Sequence, residues 1–158
     1  MAIYIKFGDE IKGEASDDKH KDFCDVNSVD LGVTQPVSAI GTGGRASGRS
    51  TPSDCSIQMV SDKAYPDIYH HCATGKHIVG DVVVHQVQDS GDEKIVYEEI
   101  TFTECMISGC HLSASGSEKP YLNITFVYDS IKLAHTPSKD DGSPDTAVKK
   151  EFNYKTNA

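Results

Sequence analysis

Apolar and polar residues alternate through most of this chain, and a period of two fits only extended backbone whose side chains point to opposite faces in turn. Ile3, Ile5 and Phe7 share one parity and Tyr4 and Lys6 the other, which predicts a half-buried first strand ending at Gly8. Phe23 to Val33 predicts a second strand, and Ser56 to Val60 a short third one. Val82 and Val84 against Val83, His85 and Val87 predict a further strand, and residues 94 to 107 a long one that is half apolar on both faces. Tyr121 to His135 reads as one strand whose parity switches near Asp129 and Ser130, the mark of a bulge. Val148, Phe152 and Tyr154 supply a last strand. The period breaks once: Tyr65, Ile68, Tyr69 and Cys72 stand at i, i+3, i+4 and i+7, with Pro66 at the start and Gly75 past the end, predicting one helix over 65–74. A chain of 158 residues at roughly 150 per domain is one domain, residues 1–158, mainly β with a single short helix.

Two segments stand apart. Residues 8–22 are almost wholly polar, with Ile11 as their one anchor, and read as a surface connection. Gln35 to Asp54 holds Gly41, Gly43, Gly44 and Gly48 between Pro36 and Pro52. So long a stretch without apolar period is uncommon inside a domain and usually serves a contact or a function, so residues 35–54 read as an extended glycine-rich arm.

Charge narrows the partners. A formal charge of −9 repels phosphate backbones and anionic lipid surfaces, which argues against nucleic acid and membrane. No apolar run is long enough to span a bilayer, and the start Met1 to Glu10 lacks the basic and apolar stretches of a signal peptide. The expectation is a protein made in the cytosol that stays there or leaves by a route needing no such signal. Five cysteines are an odd number for a disulfide framework, so reduced and mostly buried thiols are expected.

Candidate chemistry is thin. Gly41-Thr42-Gly43-Gly44-Arg45-Ala46 fits the dinucleotide pattern but lacks a following amphipathic helix. His70, His71, Cys72 and His77 carry metal-binding groups at spacings that do not make a zinc site. Cys105, Cys110 and His111 offer a thiol and a base without a third orienting group. Adjacent carboxylates such as Glu98 and Glu99 face opposite sides of a strand, so they are no acid–base pair. No catalytic residue, metal or cofactor is therefore expected.

Ile11-Lys12-Gly13-Glu14 with His20, a strand ending at Gly32, the glycine-rich arm, Asp62-Lys63-Ala64-Tyr65-Pro66, and Cys72-Ala73-Thr74-Gly75-Lys76-His77 occur in this order. That sequence of motifs resembles the haemolysin-coregulated protein family, the tube proteins of the bacterial type VI secretion system, from Ile3 to about Tyr154. The resemblance implies a barrel of two antiparallel sheets with one helix and the arm, closing into hexameric rings that stack as a tube. It implies no catalysis. Its implied partners are further copies of the chain, the sheath, spike and baseplate proteins, and small secreted effectors held in the lumen. Its implied place is the bacterial cytoplasm during assembly, then the outside of the cell or a target cell without a cleaved signal peptide. In the family the arm reaches a neighbouring subunit or ring, which makes Val37, Ile40, Thr42, Arg45 and Arg49 contact candidates. The strand before Gly32 resembles a channel wall, which makes Ser28 and Asp30 lumen candidates. The rival reading is a monomeric ligand-binding β-barrel or a small hydrolase with His and Cys residues at its mouth.

Overall fold

The structure, a computed structural model, describes residues 1–37, 48–91 and 93–158. Among the described residues twelve strands and one helix follow in chain order: β1 (Ala2–Phe7), β2 (Cys24–Val26), β3 (Ser28–Asp30), β4 (Val33–Thr34), β5 (Thr51–Pro52), β6 (Cys55–Val60), α1 (Tyr65–Thr74), β7 (Val82–Ser90), β8 (Glu93–Thr103), β9 (Met106–Ser115), β10 (Glu118–Val127), β11 (Ser130–His135) and β12 (Val148–Asn153). They build a six-stranded sheet in the order β12-β11-β8-β7-β1-β2, a four-stranded sheet in the order β3-β6-β10-β9, and a two-stranded ribbon of β4 and β5. Every named pairing is antiparallel.

The dry faces of the two larger sheets meet, and period two decides which residues lie there. Ile5 and Phe7, Val82 and Val84, and Ile100 and Phe102 come from the six-stranded sheet; Ile57, Met59, Leu122, Ile124 and Phe126 come from the other. The β7–β8 pairing shifts register between Gln86 and Val87, with Tyr97 as the extra residue on β8; β7 keeps its register with β1, so Val87, although buried, shares the parity of His85 and stands apart from the core that Val84 enters. Phe126 locks the layers together. Its ring meets Phe102 edge-on at 5.0 Å and Phe7 edge-on at 6.4 Å, the geometry that aligns ring edge with ring face.

Three stretches predicted as single strands divide between sheets. Phe23 to Val33 gives β2 in the six-stranded sheet, β3 in the four-stranded sheet, then β4 in the ribbon. Residues 94–107 divide at Glu104, whose φ of 52° turns the chain from β8 into β9. The parity switch near Asp129 is no bulge: β10 ends there in one sheet and β11 begins in the other. At a corner between packed sheets the chain exchanges its dry face, and in the sequence that exchange looks like a slip of parity. β9 runs to Ser115 and β10 starts at Glu118, so only a short turn separates them.

The expected barrel is not closed. The two sheets stack with separate edges, β12 and β2 on one, β3 and β9 on the other. Helix α1 falls at 65–74 as the spacing predicts and packs against β9. Its inner face is rotated from the expected stripe: Ile68 and His71 are buried, whereas Tyr69 is exposed. Gly75 closes the helix in the left-handed region at φ 67°, where its N–H reaches Cys72 O at 3.4 Å. Replacing Phe126 by Ala removes the ring shared by both sheets and should cost about 3–5 kcal/mol; a urea midpoint within error of the wild type would contradict this account of the core.

Candidate functional site

The four-stranded sheet has one dry and one wet face, and the wet face gathers polar residues from four strands. Cross-strand pairing sets Ser28 beside Gln58, Gln58 beside Asn123, and Asn123 beside His111. The neighbouring row runs from Asp30 to Ser56, Thr125 and Gly109. Ser28, Asp30, Ser56, Gln58 and Asn123 line a shallow depression of about 220 Å³. At its margin the Ser108 hydroxyl bridges Asp54 Oδ2 and Thr125 Oγ1, at 2.9 Å each. The structure thus brings Ser28 and Asp30 together on an exposed wall, while Val29 between them turns inward against Ile57. Sequence reading missed Ser56, Gln58, Asn123 and His111, although each sits on the polar parity of its strand.

The arm begins as a ribbon. Val33 pairs with Pro52 and Thr34 with Thr51, and Gly32 O accepts both the Ser53 N–H and the Ser53 hydroxyl, at 2.9 and 3.0 Å. Gly48 N–H donates to Pro36 O at 2.9 Å, so both sides of the arm are paired where they are described. Val37 projects from this base with 62% of its surface exposed. Arg49 is engaged within its own chain: its guanidinium donates to the carbonyl oxygens of Tyr154 and, at 3.2 Å, of Lys155. Ile40, Thr42 and Arg45, with most of the glycine-rich motif, lie outside the described residues.

The polar segment 8–22 is more than a surface connection. It lies over the outer face of β1 and β7 and buries Asp17 and His20 as well as Ile11. Asp17 accepts from Lys94 Nζ, from the Lys19 N–H at 2.9 Å and from His20 Nδ1 at 3.1 Å. Lys94 above all, then His20, hold the Asp17 carboxyl well below the usual carboxylate range against the opposing effect of burial. His20 stacks on Tyr4, with ring centres 4.3 Å apart.

The same segment explains why Ile11-Lys12-Gly13-Glu14 is so specific. A Cβ at Gly13 would lie 2.3 Å from Phe23 O and 2.6 Å from Cys24 Sγ, so no other residue allows the segment to approach β2. Glu14 then ties the segment to the start of α1: its N–H donates to Asp62 Oδ2 at 3.3 Å, and its Oε1 accepts the Lys63 N–H at 3.2 Å. Asp62 Oδ1 takes the Ala64 N–H at 2.9 Å, supporting a helix start that has no side-chain cap of its own.

The remaining candidates do not converge. His71 is buried with Nδ1 on Asp67 O at 2.7 Å, while His70 and His77 are exposed. No group of three or more His, Cys, Asp and Glu side chains able to hold a metal occurs among the described residues. Cys24, Cys55 and Cys105 are buried, and burial pushes the thiols of Cys55 and Cys105 up to about 12, far from the thiolate that nucleophilic chemistry needs. Cys110 faces the core side of β9, and His111, the next residue, faces the wet side. No helix among the described residues is long and apolar enough to cross a membrane.

Two stacked sheets with unpaired edges, a polar wall and a projecting ribbon define a β-sheet building block of the kind that completes itself against neighbours. The comparisons give the family. The profile of the family described as type VI secretion system effector, Hcp, matches residues 4–135, and the chain belongs to that family. It is a subunit of the type VI secretion tube, a structural component of that secretion machinery. Protein hcp1 of Pseudomonas aeruginosa is 29% identical over 157 residues, covering 98% of this chain and 96% of that one. A solved type six secretion system protein superposes with a TM-score of 0.92 at 24% identity, covering 99% and 98% of the two chains. Hcp1 from Salmonella typhimurium superposes with a TM-score of 0.78 at 23% identity, covering 99% and 96%. At those identities the two structures speak for the fold alone.

The buried carboxylate yields a pH signature. An unfolded Asp protonates near 3.9, and Asp17 protonates lower in the fold, so its contribution is present above about pH 4 and is lost as pH falls further. Asp17→Asn should therefore lower the urea midpoint at pH 7, and the gap to the wild type should narrow below about pH 4. A gap that stays constant from pH 3 to 7 would show that Asp17 acts through shape and not charge.

Proposed function

We propose that six copies of this chain close head to tail into a ring, that rings stack into the tube, and that the wall of Ser28, Asp30, Ser56, Gln58 and Asn123 lines the lumen. The observation that carries this reading is the open architecture. Both large sheets end in strands whose outer backbone groups have no ladder partner among the described residues, and each such edge accepts a strand from a neighbour. A head-to-tail contact is heterologous, and it closes into a ring when the rotation per subunit is right.

The polar wall suits a lumen. Hydroxyl, amide and carboxylate groups hold water and make exchangeable hydrogen bonds, so a small secreted effector is retained and shielded without being trapped. Asp30 adds one carboxylate per copy to this surface. The chain acts without catalysis, metal or cofactor. It assembles in the bacterial cytoplasm with sheath, spike and baseplate proteins, and leaves the cell without a cleaved signal peptide. The arm, through Val37, Ile40, Thr42, Arg45 and Arg49, reaches the neighbouring subunit or ring. Arg49 contributes indirectly, by holding the base of the arm to the C-terminal turn.

Charge sets the conditions for assembly. Six copies carry about −54, so association should respond to ionic strength unless acidic and basic groups face each other across the contact. Light scattering on a sizing column should give a mass near six times 17.1 kDa for the wild type. Deletion of Gly41 to Gly48 should leave a folded protein of lower mass, and a deletion protein that assembles normally would sink the role of the arm. Asp30→Ser should change the retention of effector and leave the mass intact; loss of the ring would instead make Asp30 an interface residue.

A further inference from the structure

The docked segment 8–22 takes part in a chain of four side chains that runs out across β7 and β8. Beyond Asp17, His20 Nε2 lies 3.0 Å from His85 Nδ1 on β7, and His85 Nε2 lies 3.1 Å from Glu99 Oε2 on β8. Asp17, His20, His85 and Glu99 thus form an unbroken hydrogen-bonded line from the buried carboxylate to an exposed one. Phe23 closes it from the side, with its ring edge-on to His20 at 5.0 Å and tilted against His85 at 5.4 Å.

Proton counting fixes how many protons this line holds. Three hydrogen bonds need three protons, the outer two partners are carboxylates that only accept, and two neutral imidazoles carry two protons. The line is complete when the imidazole pair holds one extra proton, either with both His20 nitrogens donating and His85 donating through Nε2, or with both His85 nitrogens donating and His20 donating through Nδ1. With one proton fewer, a bond is lost. With one proton more, His85 Nδ1–H points at His20 Nε2–H across 3.0 Å. Burial disfavours the charged form of His85, Glu99 favours it and His20 opposes it, with a net downward displacement. That agrees with His85 as the neutral member.

We propose that His20 and His85 form a shared-proton latch that fastens segment 8–22 to the six-stranded sheet and loosens when the pair gains or loses a proton. Titratable and charged groups face it from every neighbouring element. From the segment itself, Asp17 is held low. From β8, Lys94 is raised, by Asp17 first. From β1, Tyr4 is raised by burial and by Asp17. On β2, Asp25, opposite Tyr4 in the register, is raised by burial first and then by neighbouring carboxylates. Glu99 on β8 accepts from His85 and is the line's outer end. The imidazoles, which can each take up or give away a ring proton, are the groups through which this contact changes.

The consequence reaches the edge of the sheet. Segment 8–22 leads directly into β2, the edge strand of the six-stranded sheet, and its backbone is stitched there by Gly13 N–H to Asp22 O at 2.9 Å and Ala15 N–H to Phe23 O at 2.8 Å. Loosening the latch frees Tyr4, Phe23 and that edge together. The inference stands on the chain's own contacts and does not depend on the ring.

Hydrogen exchange read by mass spectrometry on the full chain, corrected for the intrinsic pH dependence of exchange, tests it from pH 5 to 9. Protection of peptides covering residues 13–24 should peak at an intermediate pH and fall on both sides, by about tenfold for each 1.4 kcal/mol of lost docking. Peptides covering β10 serve as the reference. His85→Gln supplies an amide oxygen toward His20 and an amide N–H toward Glu99 but takes no second proton, so its acid-side fall should disappear while the alkaline fall remains. A flat or one-sided wild-type profile overturns the proposal, and so does a His85→Gln profile that matches the wild type.

Discussion

The contact between the dry faces of two sheets is what the rest of this structure depends on, and it exists because three stretches of chain leave one sheet and enter the other. Each crossing places consecutive strands on opposite sides of one core, so Phe7 and Phe102 from one sheet come to bear on Phe126 from the other. The hydrophobic residues are few for a chain of this length, and a core this thin is complete only when both layers contribute. Among the described residues the same arrangement leaves four strand edges and a polar wall, the features on which the proposed ring and lumen rest.

Stacked sheets without closure separate two tasks that a closed barrel would merge. Inward positions fix the fold, while edges and wet faces stay open to further contacts. The polar segment 8–22 supports both. It seals the outer side of β1 with Asp17 and His20, braces the start of α1 through Glu14 and Asp62, and delivers the chain into edge strand β2. A segment with one anchoring Ile achieves this through polar contacts, because Gly13 allows an approach that any side chain would block.

Much of this was legible in the sequence. Alternation places the strands, and the Tyr65, Ile68, Cys72 spacing with Pro66 and Gly75 places the helix to the residue. The corners were not legible as corners, since a strand that changes sheets at Asp129 and one that bulges there leave the same parity slip. Closure was not legible either, because whether β2 and β3 pair with further strands is a long-range fact with no local signature. Ser28 and Asp30 could be assigned to one wet face from parity alone, but their companions Gln58 and Asn123 come from strands distant in sequence. The Asp17 to Glu99 line joins residues up to 82 positions apart, and only His20 within its motif hinted that the polar segment had an inside. The rotation of α1 that buries His71 in place of Tyr69 follows from packing on β9, which period 3.6 does not contain.

The central claim is that this open two-sheet subunit completes itself in a ring whose lumen is the wall of Ser28, Asp30, Gln58 and Asn123. Single-particle electron cryomicroscopy of the purified chain tests it most directly. The account predicts closed rings of six subunits with Asp30 facing the central channel and the sheet edges covered by neighbouring chains. Rings with that wall on their outer surface, or isolated subunits with free edges at every salt concentration, would contradict it.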